Sequence, residues 1–525
     1  FLQSRGRLPE AEEQFKHAIS VDPKNPDPRS ALARLYMMEG KGGEAESFLR
    51  QTKSDLSDLP AGYRMLGDYY FATGNVDKAL AEYESLNKEH PKDIQTKKNF
   101  IQLLILKNRL DDARKLNAEI LKASANDNDA MIFRGQIAMR DGHLDDAVNS
   151  LQSALKADPS NAVAHYQLGL AFDQQGNLSR AESEWREAVR LKPDMTDAQR
   201  ALAAVSIRKS DWDSLNLFAT QIINAQPGAP DGYALRGIAA ANQKQFSKAE
   251  QDINKAIEVA PNSAIGYINL GSLRLLQKQY AEAVKAYQKG LDVDPSSTEA
   301  LSGLMNTYLA QKQIDKAVDA AQAQIAKVPN SSTFYDLLGT ALYNYKKDYK
   351  GAEAALRKAA ELDKKNSDAL IKLGQALNAQ GSTDQAIATF QQSLKDNPNE
   401  ISFYILLGEL YEGQKNWQSA KGMYEKALQL QPENPIASNN LAYVMLQTGG
   451  NIDVAISLAQ TARRLMPDSP NAADTLGWAY YQKGLYPTAI DLFKEALKKM
   501  PNDPTFQDHL KKAEQHAQPQ QQSGN

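Results

Sequence analysis

Few residues in this sequence could act on a substrate, and none are arranged to do so. The six histidines, His17, His90, His143, His165, His509 and His516, are scattered, and no two stand at metal-ligand spacing on one helix face. His165 falls at a helix–helix contact position and reads as a core residue. The absence of cysteine removes disulfides, thiolate zinc sites, iron–sulfur clusters and cysteine nucleophiles together. There is no Walker-type phosphate loop, no HExxH helix and no GxSxG elbow. Asn126 to Asp129 faintly resembles a calcium loop, but it lacks the glycine and the distal bidentate glutamate and reads as an inter-helix turn. The expectation is a protein that is not an enzyme and carries no cofactor and no metal. What remains is recognition chemistry. Three large rings, Tyr443, Trp478 and Tyr481, fall within two successive helical segments, beside Asn439, Asn471 and Asp474. Rings offer flat apolar faces and amides fix orientation, a combination that suits a peptide or a sugar.

The composition is that of a folded protein. Of 525 residues, 42% are hydrophobic and 24% charged, and the formal net charge is -3. Near-balance argues against a polybasic nucleic-acid or membrane-surface binder. The longest apolar run, Phe100 to Leu106, is about one-third of a membrane span. The chain begins with Phe, inside a repeat, so any export signal or lipid anchor is expected upstream. Gln518 to Asn525 reads QPQQQSGN and is expected to be a disordered tail.

The elements that position these residues follow a ruler. Pro159, Pro193, Pro227, Pro261, Pro295 and Pro329 are each 34 residues apart. The spacing continues from Pro23 to Pro501, with two extra residues placed in Asn344–Gly351 and Thr448–Asn451, where a turn could absorb them. Twelve residues before the proline position stands alanine in 14 of 15 registers, among them Ala79, Ala113 and Ala420. A second small position holds Gly67, Gly135, Gly169, Gly237, Gly271, Gly339, Gly374, Gly408 and Gly477, with Ala33, Ala203 and Ala442. Antiparallel helices approach closely only where small side chains face large ones. Apolar residues recur at helical spacing within each half. Gly or Asn in mid-repeat would end the first helix in a left-handed turn, Pro would stop the second, and Asp, Ser or Asn after it would cap the next.

This pattern resembles the tetratricopeptide repeat (TPR) family. The family frame appears as Tyr404, Leu407, Gly408, Tyr411, Ala420, Tyr424, Ala427 and Pro432, and again as Leu476, Gly477, Tyr480, Ala489, Phe493, Ala496 and Pro501. The resemblance implies an all-α fold, a right-handed TPR superhelical solenoid of antiparallel helix pairs that binds partners on its concave face. The expected organisation is a truncated repeat at 1–25 contributing its second helix, fourteen tandem repeats over 26–503, a capping helix at 504–517 and the tail at 518–525. Three repeats depart from the frame: 94–127 with Asn117 at an aromatic position, 196–229 with Leu215 at the alanine position, and 298–331 with Met305 and Ala321. Looser packing there would make hinges; compensated core variation would not.

Placed on this frame, the expected inner-face residues fall into three zones. The N-terminal zone is charged, with Arg34, Arg64, Asp68, Lys98 and Arg140. The middle is apolar, with Ile238, Ile265, Ile268, Leu275 and Leu276. The C-terminal zone carries Tyr343, Asn439, Tyr443, Asn471, Asp474, Trp478 and Tyr481, and is the expected partner-binding surface. Two ligand sites known in the family are absent. Ser302 and Asn306 do not reproduce the carboxylate clamp, and Asn99, Asn269 and Asn440 are too few for an asparagine ladder.

The block from Asn439 to Gly484 is similar to the final repeats of large bacterial TPR proteins, including lipoproteins linked to exopolysaccharide and PEP-CTERM sorting systems. That resemblance implies a non-enzymatic protein–protein interaction scaffold in a bacterial cell-envelope assembly or export system, at the periplasm or cell surface rather than in the cytoplasm. Expected partners are a protein or peptide, or the chain itself; no nucleic acid and no membrane span are expected. Two alternatives stand beside it: a self-assembling structural solenoid forming fibres or oligomers, and the binding arm of a larger enzyme whose catalytic part is missing.

Overall fold

The asparagines, serines and aspartates that follow each repeat boundary start helices by capping them. Asn161, Asn366 and Asn434 each accept a backbone N–H three residues on, as do Asp127 and Ser469. The computed structural model describes residues 7–517. Among them it contains α-helices, one π-helical turn and no strand. The expectation for residues 518–525 lies outside the described residues. No described helix is long and apolar enough to cross a membrane.

The chain divides into two compact units, Phe1–Asp252 and Ile253–Asn525. In the first, the helix Leu8–Val21 precedes antiparallel pairs at 26–55, 60–89, 94–123, 128–157, 162–191 and 196–225, then the helix Pro230–Asn242. In the second, pairs run at 264–293, 298–327, 332–362, 367–396, 401–430, 435–465 and 470–499, and the helix Pro504–Ala517 closes the stack. Each unit is a file of helix pairs. Its core lies within and between neighbouring pairs, as in the cluster from Ala283 to Ala386.

The small position works by contact with one side chain on the second helix of its pair. A Cβ added at Gly67 would lie 2.6 Å from Tyr83, at Gly169 2.4 Å from Trp185, at Gly374 2.1 Å from Phe390 and at Gly408 2.3 Å from Tyr424. Such distances cannot be accommodated around buried rings. Where the small position is large, the ring position is small. Ile101 stands with Asn117, and Met305 with Ala321, all at least 97% buried. Ala203 stands with Ala219 in the third departing repeat, where fully buried Leu215 lies one turn before Ala219. The three departures are therefore compensated packing: in the first two, volume moves from one helix to the other, and in the third it moves one turn along the same helix.

Two local expectations need correction. The first inserted residue is not absorbed by a turn. It lengthens the last turn of the preceding helix into the π-helix Leu342–Lys346, and the Asp348 N–H donates to the Leu342 carbonyl at 3.0 Å. The mid-repeat turn also does not need Gly or Asn. Lys244, Lys278, Lys312, Lys347 and Lys415 hold the left-handed conformation there, with φ between 58° and 62°. A side chain in that region costs about 1–2 kcal/mol.

Candidate partner-binding site

Four residues expected to meet a partner do come together. Asn439 and Tyr443 stand one turn apart on the helix Pro435–Gln447, and Asn471 and Asp474 on the neighbouring helix Pro470–Gln482. With Glu412, Asn440 and Asp503 they line an open groove of about 280 Å³. No Lys or Arg lines it. The Asn439 Oδ1 is out of contact with water and has no hydrogen-bond partner. Tyr443 meets Trp417 edge to face, with centroids 6.5 Å apart.

Trp478 and Tyr481 are not on the groove wall. They stack on each other, with centroids 4.7 Å apart, and the closing helix Pro504–Ala517 covers them. His509 stacks on Trp478 at 4.1 Å, and its Nδ1 meets the Asp474 carboxylate at 2.9 and 3.1 Å. Lys512 lies over the Trp478 ring. Burial pushes the Asp474 carboxyl above its ordinary value, and the His509 hydrogen bond pulls partly back. These rings secure the cap, so the expectation that they are open to a partner is corrected. Tyr343 is apart from the groove, half-buried, 5.5 Å from the Tyr349 ring.

The charged N-terminal zone is mostly neutralised internally. Arg64 donates to Asp93 at 2.8 Å, and the Tyr63 hydroxyl donates to the same carboxylate at 2.9 Å. Against its burial, hydrogen bonds from Thr96 and Tyr63 and the Arg64 charge hold Asp93 below the usual carboxylate range. Lys98 bridges Asp127 at 2.9 Å and Asp129 at 2.8 Å. Arg34 and Arg140 are exposed. In the apolar middle zone, Ile268 and Leu275 pack on their unit's core, as Ile238 does on its own, while Leu276 is exposed. His165 is held by Glu184 at 2.6 Å.

Two acids, Glu409 and Glu412, stand beside the expected residues and were not among them. The Tyr83 hydroxyl donates to Asp68 and receives the Asn99 side-chain N–H at 2.7 Å. Tyr424 repeats this arrangement with Glu412 at 3.0 Å and Asn440 at 3.5 Å, and Asn440 also reaches Glu409 at 3.5 Å. Tyr83 and Asn99 stand as far from Pro91 as Tyr424 and Asn440 do from Pro432, and Asp68 matches Glu409. The two places are one frame. Its other positions differ: Arg64 matches Ile405, Phe71 matches Glu412, Asp93 matches Asn434, Lys98 matches Asn439, and one repeat on Asp129 matches Asn471. The first frame pairs cations with acids. The second replaces both cations, turns Asp93 and Asp129 into amides and Asp127 into Ser469, and adds Glu412. Burial raises Asp68, with Tyr83 and Arg64 opposing, although part of its side chain stays open to solvent. Burial also raises Glu412 and, although part of its side chain stays open to solvent as with Asp68, Glu409; Asn440 opposes it at Glu409 and Tyr424 at Glu412, where the Glu409 charge adds to the rise. The equal spacing from the prolines was the available signal.

A larger groove, about 520 Å³, lies among the helices Leu110–Ala123, Asn128–Arg140 and Leu144–Ala157 of the first unit. Arg114 on its rim is already bonded to Asp141, and none of the expected site residues line it.

Comparison with known proteins agrees with the repeat geometry. Tetratricopeptide repeat family matches cover 2–68, 70–134, 274–340 and 345–410 in one form, 132–196, 166–230, 235–298 and 446–504 in a second, and 402–434 in a third. The human protein O-mannosyl-transferase TMTC1 is 27% identical over 178 residues, covering 33% of this chain and 20% of that protein. Anaphase-promoting complex subunit 3 of Schizosaccharomyces pombe is 25% identical over 140 residues, covering 27% and 21%. A TPR repeat-containing protein of Pseudomonas aeruginosa is 26% identical over 151 residues, covering 27% and 26%. The chain thus spans about a quarter or less of these relatives.

Proposed function

The chain belongs to the tetratricopeptide repeat family, and from that premise we propose that it is a non-enzymatic protein–protein interaction scaffold of a bacterial cell-envelope assembly or export system. The groove lined by Asn439, Tyr443, Asn471 and Asp474 carries this reading. It combines a ring face with amides and carboxylates on two packed helices, so a bound segment meets fixed partners at little ordering cost. An assembly role is supported by the company of the repeats, since one relative is a subunit of a multi-protein complex. The envelope setting is supported by the likeness of residues 439–484 to the last repeats of bacterial envelope TPR proteins. The covered end of the stack favours a partner other than a second copy joined head to tail at that end, because the closing helix occupies that face.

The test is crosslinking in the native cells, with capture of this chain and mass spectrometry, for the unaltered protein and for Tyr443→Ala. Envelope transport or polysaccharide components that are captured with the first and lost with the second support the proposal. A capture list that contains this chain alone, or one that Tyr443→Ala leaves unchanged, sinks it.

A further inference from the structure

We infer that the groove of the second unit takes a cationic peptide segment, with a Lys or Arg side chain directed at Glu412 and Asp474. The inference rests on the reading of this groove as a partner surface and specifies the partner's chemistry. Three observations carry it.

The first is the internal comparison. One backbone frame occurs twice, and its first copy contains the cations that its acids need: Arg64 on Asp93 and Lys98 on Asp127 and Asp129. The second copy has Ile405 and Asn439 at the cation positions, keeps one acid of the frame, Glu409 in place of Asp68, and gains two, Glu412 and Asp474, where the first copy has Phe71 and Ile132. The second copy thus adds acids where the frame's two cations are gone.

The second is what the wall offers. Glu412, Asp474 and Asp503 all line the groove, and no Lys or Arg does. Asp503 is engaged by the backbone N–H groups of Thr505 and Phe506, and Asp474 by His509. Glu412 accepts only from the Tyr424 hydroxyl. The Asn439 Oδ1 on the same wall is buried without a partner, and it meets a donor in the groove only when its side chain turns outward. A Lys or Arg head brings several donors and one positive charge.

The third is the closing helix, which already supplies this chemistry at one end of the groove. It places a nitrogen donor, His509, on Asp474 and a lysine, Lys512, over Trp478.

The test uses the full chain and a short, end-capped fluorescent peptide of alternating Gly and Lys, with Gln and Glu counterparts. The expected result is binding of the Lys peptide at least about tenfold tighter than of the Gln peptide, weakened by salt. The double substitution Glu409→Gln with Glu412→Gln should weaken it about tenfold, while Asp68→Asn in the first frame should not. Because the double variant could disturb packing, Asn439→Lys gives a second route. It adds a cation to an intact acidic wall and should also abolish the preference for Lys. Equal binding of Lys and Gln peptides, or affinity unmoved by both substitutions, overturns the inference. In the cell-capture experiment, a partner lost with Tyr443→Ala but kept with Glu409→Gln/Glu412→Gln leaves the groove standing and removes its cation preference. A partner kept with both removes the groove and the inference together.

Discussion

Around Tyr83, the hydroxyl donates to Asp68 and is held by Asn99 at 2.7 Å, with Arg64 and Lys98 paired nearby. Around Tyr424, the hydroxyl donates instead to Glu412, at the position of Phe71, at 3.0 Å and has a long contact to Asn440 at 3.5 Å, with no cation on the groove wall. The Gly–Tyr contact is shared, at Gly67 and at Gly408. The difference lies wholly in side chains that do not shape the repeat. A repeat can therefore be closed on itself or left open to a partner without changing its fold, because the packing positions and the recognition positions are separate.

The comparison can be tested at several depths. Local stability is best followed by hydrogen exchange, since repeat arrays need not unfold as one unit. The largest effect should come from the shared part. Tyr83→Ala and Tyr424→Ala each empty a buried ring site, and each should cost about 3–5 kcal/mol of local stability. A large loss at only one site would break the claim that the two frames pack alike. Next, Arg64→Ile gives the first frame the residue of the second and leaves Asp93 without its cation. It should cost about 1–3 kcal/mol around helix Ile94–Leu106, where an unchanged exchange pattern would show that the ion pair is idle. Removing only the hydroxyl should separate the frames. Tyr83→Phe leaves Asp68 and Asn99 without a shared partner, for about 1–2 kcal/mol, and Tyr424→Phe should cost less. Equal losses would mean the longer contacts at Tyr424 carry as much as the shorter ones.

The smallest effect is in pH. Glu409, Glu412 and Asp474 have raised values in the fold, so they hold protons more tightly folded than unfolded. Their contribution is full below the ordinary carboxyl range, about 4, and is lost as pH rises through the raised values. Asp93 is lowered, so its contribution is present above that range and is lost as pH falls through its lowered value, with Asp68 opposing it. The Glu409→Gln/Glu412→Gln variant should melt above the unaltered chain at neutral pH, and the gap should close on acidification. A gap that is independent of pH would show that these acids are fully hydrated.

Much of the fold was legible in the sequence, because proline spacing, the alanine register and the small position all report one period. The inserted residue near Asn344 was not, since a turn and a helix end can each take one residue, and only the surrounding packing decides. The site was legible in part. Asn439, Tyr443, Asn471 and Asp474 could be placed on one face by helical spacing alone. The cover over Trp478 could not, because it depends on how the helix Pro504–Ala517 docks. The pairing of Arg64 with Asp93 and of Lys98 with Asp129 joins residues about one repeat apart, and spacing does not state which side chains reach each other. Glu409 and Glu412 were not legible, because acids on a helix are ordinarily solvated and only the Tyr424 hydroxyl and the Asn440 side chain mark these two out.

The exchange of volume between the small position and the ring position bears on how such a chain can be reshuffled. Repeats of nearly equal length invite unequal crossover between copies of the gene. A crossover between whole repeats keeps each pair of helices matched. One that falls inside a repeat joins the first helix of one kind to the second helix of another. Gly408 joined to the helix bearing Ala459 would leave a hole, and Met305 joined to the helix bearing Tyr424 would force a collision. The heritable unit of this array is thus the complete helix pair, with its allowed breakpoints in the connections between repeats.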